Sequence, residues 1–194
     1  MKNWKIFLPL SLIIALLMTS KSSKAAVSKA LVVIKGTPTG VAWTRFDPLY
    51  QKYGAKYGID WKLLKAIALN ESLNGTYPSV ALGLREPTNP DSVSDDGLSY
   101  GLMQVTLTTA QDFRKGTTMA DLNNPEIAVE LAAKFFQWAY KQFPNDTGEA
   151  QRKKVVMSYN QGVAGTQKGR TAALPYYERF LVNYAKVQDS LKAA

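Results

Sequence analysis

The chain of 194 residues has no cysteine and no histidine. Those two absences remove much of the usual site chemistry. A Cys/His zinc centre cannot be built, nor can a Ser-His-Asp or Cys-His nucleophile. Disulfides are excluded as well. Asp, Glu, Lys and Tyr are left to move protons, so carboxylate chemistry comes first. No stretch carries a strong strand signal, and no internal repeat is visible. Long apolar runs are also scarce. The run "IFLPLSLIIALLM" (6–18) has 13 residues, short of a comfortable membrane span.

That run belongs to an N-terminus that reads as an export signal, with Lys2 and Lys5 before it and Ser23-Lys24-Ala25 as a small-x-small cleavage site. Lys21 and Lys24 beside the site keep an uncleaved signal-anchor open, in which residues 6–18 tether the chain to the membrane. On either reading, the chain beyond residue 25 is exported to the periplasm or cell envelope. The rest is long enough for one domain with a real core. Its apolar content, 46% for the whole chain, is ordinary for a globular protein. The formal charge is +9; without the four leader lysines, 20 basic residues face 15 acidic ones. Such a surface is either simply solvated or steered toward anionic polymers. No basic run interleaves with aromatics, which argues against nucleic acid.

Residues 26–45 read as a linker or extended arm broken by Gly36, Pro38 and Gly40, and residues 46–190 as the domain. In it, Phe46, Leu49, Tyr50, Tyr53 and Tyr57 recur at helical spacing up to Gly58. Asp60 caps a second helix, "WKLLKAIALNES", with Trp61, Leu64, Ile67 and Ala68 as its apolar set. A long irregular segment rich in Pro and Gly comes after it, up to Gly101. A helix capped near Thr108 is next. The clearest helix, "NNPEIAVELAAKFFQWAYKQF", has Asn124 as cap, Pro125 at its first position, and Leu131, Phe135 and Trp138 on one face. "EAQRKKVVMSYNQG" predicts a helix ending at Gly162, "VAGTQKGRTAAL" a loop, and Pro175 the start of a last helix. The class is mainly α.

Glu71 stands out. It lies four residues after Ile67 and seven after Leu64, on the face that should be buried. A buried carboxylate resists ionisation, and one still protonated near neutral pH is a general acid. A carboxylate that snorkels out at the helix end, or pairs with an arginine, fits the same position.

The blocks around Glu71 bear on that choice. "ES" (71–72), "GLMQV" (101–105) and "SYNQG" (158–162) occur in that order, with "LNNPEIAVELAAKFF" and "ALPYYERFL". Together they resemble the signature of the soluble lytic transglycosylase superfamily, glycoside hydrolase family 23, with goose-type lysozyme as a neighbour. The likeness covers roughly residues 46–185. It implies a lysozyme-like α-helical domain with a catalytic cleft. It implies Glu71 as general acid/base, Ser72 supporting the helix end, and Gly101, Leu102, Met103 and Gln104 lining the cleft. Met103 and Gln104 touch substrate, Tyr159 and Asn160 face the carboxylate, and Tyr176 or Tyr177 closes the floor. Ser72 and Ser94 stand with the substrate-binding residues. No metal and no cofactor are implied. The implied substrate is the peptidoglycan glycan strand, cut at the β-1,4 bond between N-acetylmuramic acid and N-acetylglucosamine, with a 1,6-anhydro product.

Two features depart from the family pattern. Asn89-Pro90 arrives 18 residues after Glu71, so "LNGTYPSVALGLREPT" (73–88) looks like an insertion over the cleft or a tolerated surface loop. Asp95 stands six residues before Gly101, a spacing that goose-type lysozymes share. Paired with Glu71 it would make an inverting hydrolase, which needs about 6.5–9.5 Å between the carboxyls; Asp-Asp-Gly is also ordinary turn chemistry. Three functions therefore stand: a lytic transglycosylase, a goose-like muramidase, and a non-catalytic murein-binding assembly component. A secretion or conjugation machine, phage entry and wall turnover are all suitable settings.

Overall fold

The computed structural model describes residues 41–75 and 99–192. The elements in chain order are α1 (Val41–Thr44), α2 (Asp47–Tyr57), α3 (Trp61–Ser72), β1 (Ser99–Tyr100), β2 (Val105–Thr106), α4 (Leu107–Phe113), α5 (Met119–Asn123), α6 (Pro125–Lys141), α7 (Gly148–Gln161), α8 (Val163–Gln167) and α9 (Leu174–Lys192). The architecture is mainly α. The two strands form a small antiparallel hairpin in which Ser99 faces Thr106 and Tyr100 faces Val105.

Local chemistry accounts for most helix ends. Gly58 closes α2 in the left-handed conformation (φ 68°). The Asp60 carboxylate accepts the Lys62 N–H at 3.0 Å and starts α3. Gly54 lets the two helices meet, because a Cβ there would lie 2.7 Å from the Ile59 carbonyl oxygen. At α6, Asn124 accepts the Glu126 N–H and Pro125 occupies the first turn. Gly162 (φ 79°) comes directly after the last residue of α7.

Four expectations change. The cap of α4 is Thr106 rather than Thr108. Thr118 and Asp121 form a capping box for α5, a short helix with too little apolar periodicity to be read in advance. Residues 163–167 are helical, not loop: Val163, Gly165 and Thr166 are buried, and packing against α7 supplies what local propensity lacks. Finally, the arm does not run to residue 45 as an extended linker, since residues 41–44 form a helical turn. The Pro- and Gly-rich segment read as irregular lies mostly outside the described residues.

α3 is the centre of the domain. It packs against α2, α6 and most extensively α9. Every residue from Leu63 to Leu69 is buried, so the helix is enclosed on all sides rather than along one stripe. Around it gather Tyr50, Phe136, Leu131, Leu102 and Phe180. Across the surface of α2 and α6, Tyr53 and Tyr57 donate to Glu126 and Glu130 at 3.0 and 2.6 Å, which sets the two helices in register.

Enclosure of α3 traps a charge. Lys65 is 1% exposed. Its ammonium donates to Asp47 at 2.8 Å and lies 4.2 Å from the centre of the Trp43 ring. Burial pulls the Lys65 amine below its usual range and pushes the Asp47 carboxyl above its own, in each case against the attraction of the partner. Dehydration therefore outweighs the pairing. Removing one partner strands the other. Lys65→Met should cost about 3 kcal/mol of folding stability, and adding Asp47→Asn should restore most of it; denaturant midpoints of the two variants check this.

Candidate active site

Glu71 is the penultimate residue of α3, and the chain turns sharply behind it. Leu73 (φ 50°), Asn74 (φ 58°) and Gly75 (φ 81°) are successive left-handed residues. Two of them carry side chains, each at a cost on the order of 1–2 kcal/mol. Specific bonds hold the strain in place. Asn74 is buried; it accepts the Tyr50 hydroxyl at 2.6 Å and donates to the Trp43 carbonyl at 3.3 Å. The Ser72 hydroxyl accepts the Gly75 N–H at 2.9 Å. The helix thus stops where its last exposed turn presents Glu71, whose side chain is half-buried between core and cleft.

α9 supplies the partner. The Tyr176 hydroxyl donates to Glu71 Oε1 at 2.5 Å. Asn70 Nδ2 donates to the Tyr176 carbonyl at 3.1 Å, and Asn183 Nδ2 donates to Asn70 Oδ1 at 2.6 Å. The end of α3 and the first half of α9 are therefore joined at both Asn70 and Glu71. Burial raises the Tyr176 phenol well above its usual range, and the Glu71 charge and hydrogen bond add to the effect. Tyr176 is thus a permanent donor at physiological pH.

The turn after β1 is held just as closely. Gly101 (φ 71°) and Gln104 (φ 48°) are both left-handed. Three consecutive carbonyls of this turn each receive a side-chain donor. Gln104 Nε2 donates to the Gly101 oxygen at 2.8 Å, Ser72 Oγ to Leu102 at 2.7 Å, and the Tyr159 hydroxyl to Met103 at 2.8 Å. The Tyr159 ring is stacked on Phe136 (5.0 Å, 7°) and meets Phe135 edge-on (5.2 Å). Its phenol is pushed well above the usual range by burial and then by the nearby Glu71 charge.

The cleft is lined by Glu71, Ser99, Gln104, Thr106, Phe135, Tyr159 and Asn160, among others. Among the described residues lining it, Glu71 is the only carboxylate. Glu71, Gln104, Tyr159 and Asn160 meet here, with Tyr176 buried behind the carboxylate. Two residues assigned to substrate lie elsewhere: Ser72 is 1% exposed and Met103 fully buried, so the first fastens the turn to α3 and the second fills the core. The Tyr159 hydroxyl is directed to the Met103 carbonyl rather than to Glu71. Asp95 and Ser94 lie outside the described residues. Asn70 and Asn74 were not singled out by sequence; an Asn directly after a helix end is a left-handed-turn signal that points to the second. Ser99 and Thr106 reach the cleft through the hairpin, and Thr109 through the first turn of α4.

A carboxylate with a fixed phenol donor, in a groove of hydroxyls and amides beside one aromatic wall, suits proton transfer on a neutral polar ligand. A family model for the transglycosylase SLT domain matches residues 48–174. The chain belongs to that family. The SLT domain here is similar to membrane-bound lytic murein transglycosylase F of Haemophilus influenzae (strain PittGG), 29% identical over 120 residues, which are 61% of this chain and 20% of that protein. The protein of the same name from Marinobacter nauticus is 29% identical over 133 residues, 66% of this chain and 22% of the relative. That from Vibrio cholerae (strain Classical Ogawa 395) is 28% identical over 119 residues, covering 61% and 18%. The chain thus spans about a fifth of the length of these curated relatives.

The buried phenols should be visible in stability measurements. Tyr159→Phe should leave the Met103 carbonyl without its donor and lower stability by about 1–3 kcal/mol, read as a fall in the thermal midpoint. Tyr50 and Tyr176 have folded-state pKa values raised above the unfolded ones, so their contribution is complete below about pH 10 and is lost as pH rises beyond it. The unfolding free energy should fall by about 1.4 kcal/mol in total for each between about pH 9 and 11, with most of the fall above pH 10, measured by denaturant titration.

Proposed function

We propose that the chain is a peptidoglycan lytic transglycosylase that uses Glu71 as its single catalytic carboxyl. The observation that carries this reading is the Glu71 carboxyl, held by the Tyr176 hydroxyl in a cleft with no second carboxylate among its described lining residues. Membership of the SLT domain family and the names of the relatives support the substrate class.

In this scheme Glu71 donates its proton to the bridging oxygen between N-acetylmuramic acid and N-acetylglucosamine, and the bond from C1 to that oxygen breaks. The muramyl N-acetyl group stabilises the positive centre at C1. Glu71, now ionised, removes the proton from the C6 hydroxyl, and O6 closes on C1. The product is a 1,6-anhydro sugar, the proton returns to Glu71, and no water is consumed. One group serving as acid and then base differs from the two-carboxylate route. The Tyr176 hydroxyl fixes the Oε1 position through both steps, while Gln104 and Asn160 offer amides to the sugar substituents. Residues 46–190 form the catalytic unit. The leader at 1–25 and the relatives' membrane-bound setting support a location in the cell envelope. An exported lysin of this kind suits the opening of the wall for a secretion or conjugation apparatus, phage entry or wall turnover alike. Among the described residues no helix is long and apolar enough to cross a membrane; residues 6–18 lie outside them.

Mass spectrometry of murein digested by the purified protein tests the chemistry. Anhydro-muropeptide ends are expected, and reducing ends instead would establish the muramidase with Asp95. Glu71→Gln should lower product release by at least about 100-fold while the protein still sediments with insoluble murein. Binding by the wild type without release of soluble fragments would leave only the non-catalytic reading.

A further inference from the structure

An aromatic cluster adjoins one wall of the cleft. On α6, Ala132 and Phe135 form part of its wall. Trp138 lies three residues beyond Phe135 on the same side of that helix. On α4, Thr109 lines the cleft and Phe113 lies four residues further along the same face. Beyond the cleft-lining Thr109 and Phe135, the two helices meet through Phe113 and Trp138. Their aromatic rings meet there: Trp138 is 5.8 Å from Phe135 and 6.0 Å from Phe113, and Phe113 is 6.3 Å from Phe135 edge-on. The rings form one continuous series. Phe135 is 8% exposed and touches Tyr159 on the catalytic side, whereas Trp138 at the outer end is 40% exposed.

We propose that Trp138, braced by Phe113 and Phe135, is an outer sugar-binding subsite that stacks on an N-acetylhexosamine ring of the glycan strand running out of the cleft. The proposal rests on the carbohydrate substrate assigned above. An indole presents a flat apolar face and an N–H at its edge, which matches the C–H face and the hydroxyl rim of a pyranose. The two phenyl rings pack against the indole, so stacking costs little side-chain freedom. Continuity with the cleft selects the glycan over a separate protein partner. The aromatic floor favours the sugar backbone over the charged peptide stems. Such a subsite prefers long strands and leaves the chemistry at Glu71 untouched.

Binding of N-acetylglucosamine oligomers to the full chain in the Glu71→Gln background, measured by titration calorimetry, tests it without turnover. Trp138→Ala should weaken hexasaccharide binding about three- to tenfold and leave disaccharide binding unchanged in a protein that remains folded by circular dichroism; Trp138→Phe should recover part of the loss. In the active protein, Trp138→Ala should raise KM for stem-free glycan at constant kcat. Unchanged hexasaccharide binding overturns the subsite, as does equal loss for both oligomers, or no oligomer binding at all by the Glu71→Gln protein. An effect seen only with stem-bearing strands reassigns Trp138 to the peptide and also overturns it. A length-dependent loss in a protein that yields no anhydro ends would keep the subsite and sink the transglycosylase. Anhydro ends with no Trp138 effect would do the reverse.

Discussion

A carboxylate held half-open at the end of a sealed helix is the constraint on which the rest of this domain depends. α3 is enclosed from Leu63 to Leu69, so its axis has no freedom to tilt without opening the core. Such a helix ordinarily has no room for a charged group. Glu71 escapes by sitting in the last turn, and the left-handed run from Leu73 to Gly75 then takes the chain away from the opening. Asn74 and Ser72 maintain that turn through buried hydrogen bonds. The strained residues begin two positions after the cleft carboxylate, and stored backbone strain tends to cluster at such sites.

The sequence blocks around Glu71 turn out to be bonded to one another. Ser72 of the first block and Tyr159 of the third each donate to a carbonyl of the second, and Gln104 closes the second on itself. Their residue types reflect geometry as much as chemistry, since a hydroxyl at each of those two positions fastens a turn whose carbonyls would otherwise be buried without donors. Tyr176 joins the set from α9, 105 residues along the chain from Glu71. Fixing a general acid within a narrow range of positions is worth more to a proton transfer than an additional polar contact.

Dehydration of the buried Lys65–Asp47 pair exceeds its attraction, yet the ammonium sits beneath Trp43, whose carbonyl is also bonded to Asn74. The segment before α2 is thereby tied both to the middle of α3 and to the turn behind Glu71. A charge in the core that stabilises little by itself still fixes how that segment packs.

Local chemistry determined much of this protein before any tertiary contact was known. Asp60, Asn124 and Pro125 set helix starts, Gly58 and Gly162 set helix ends, and the absence of cysteine and histidine left carboxylates as the leading candidates for proton transfer. Each of these depends on a few neighbouring residues, so each can be read along the chain. α5 and α8 could not, because helices of five residues form only where packing supports them. The burial of Lys65 follows from the enclosure of its helix on every side, which no local signal carries. Ser72 and Met103 read as substrate contacts, although folding turns one toward a carbonyl and the other into the core. The partner of Glu71, the destination of the Tyr159 hydroxyl and the meeting of Trp138 with Phe113 were decided only by tertiary structure. They join residues far apart in the chain, and the spacing of residues along it holds no information about which distant groups will meet.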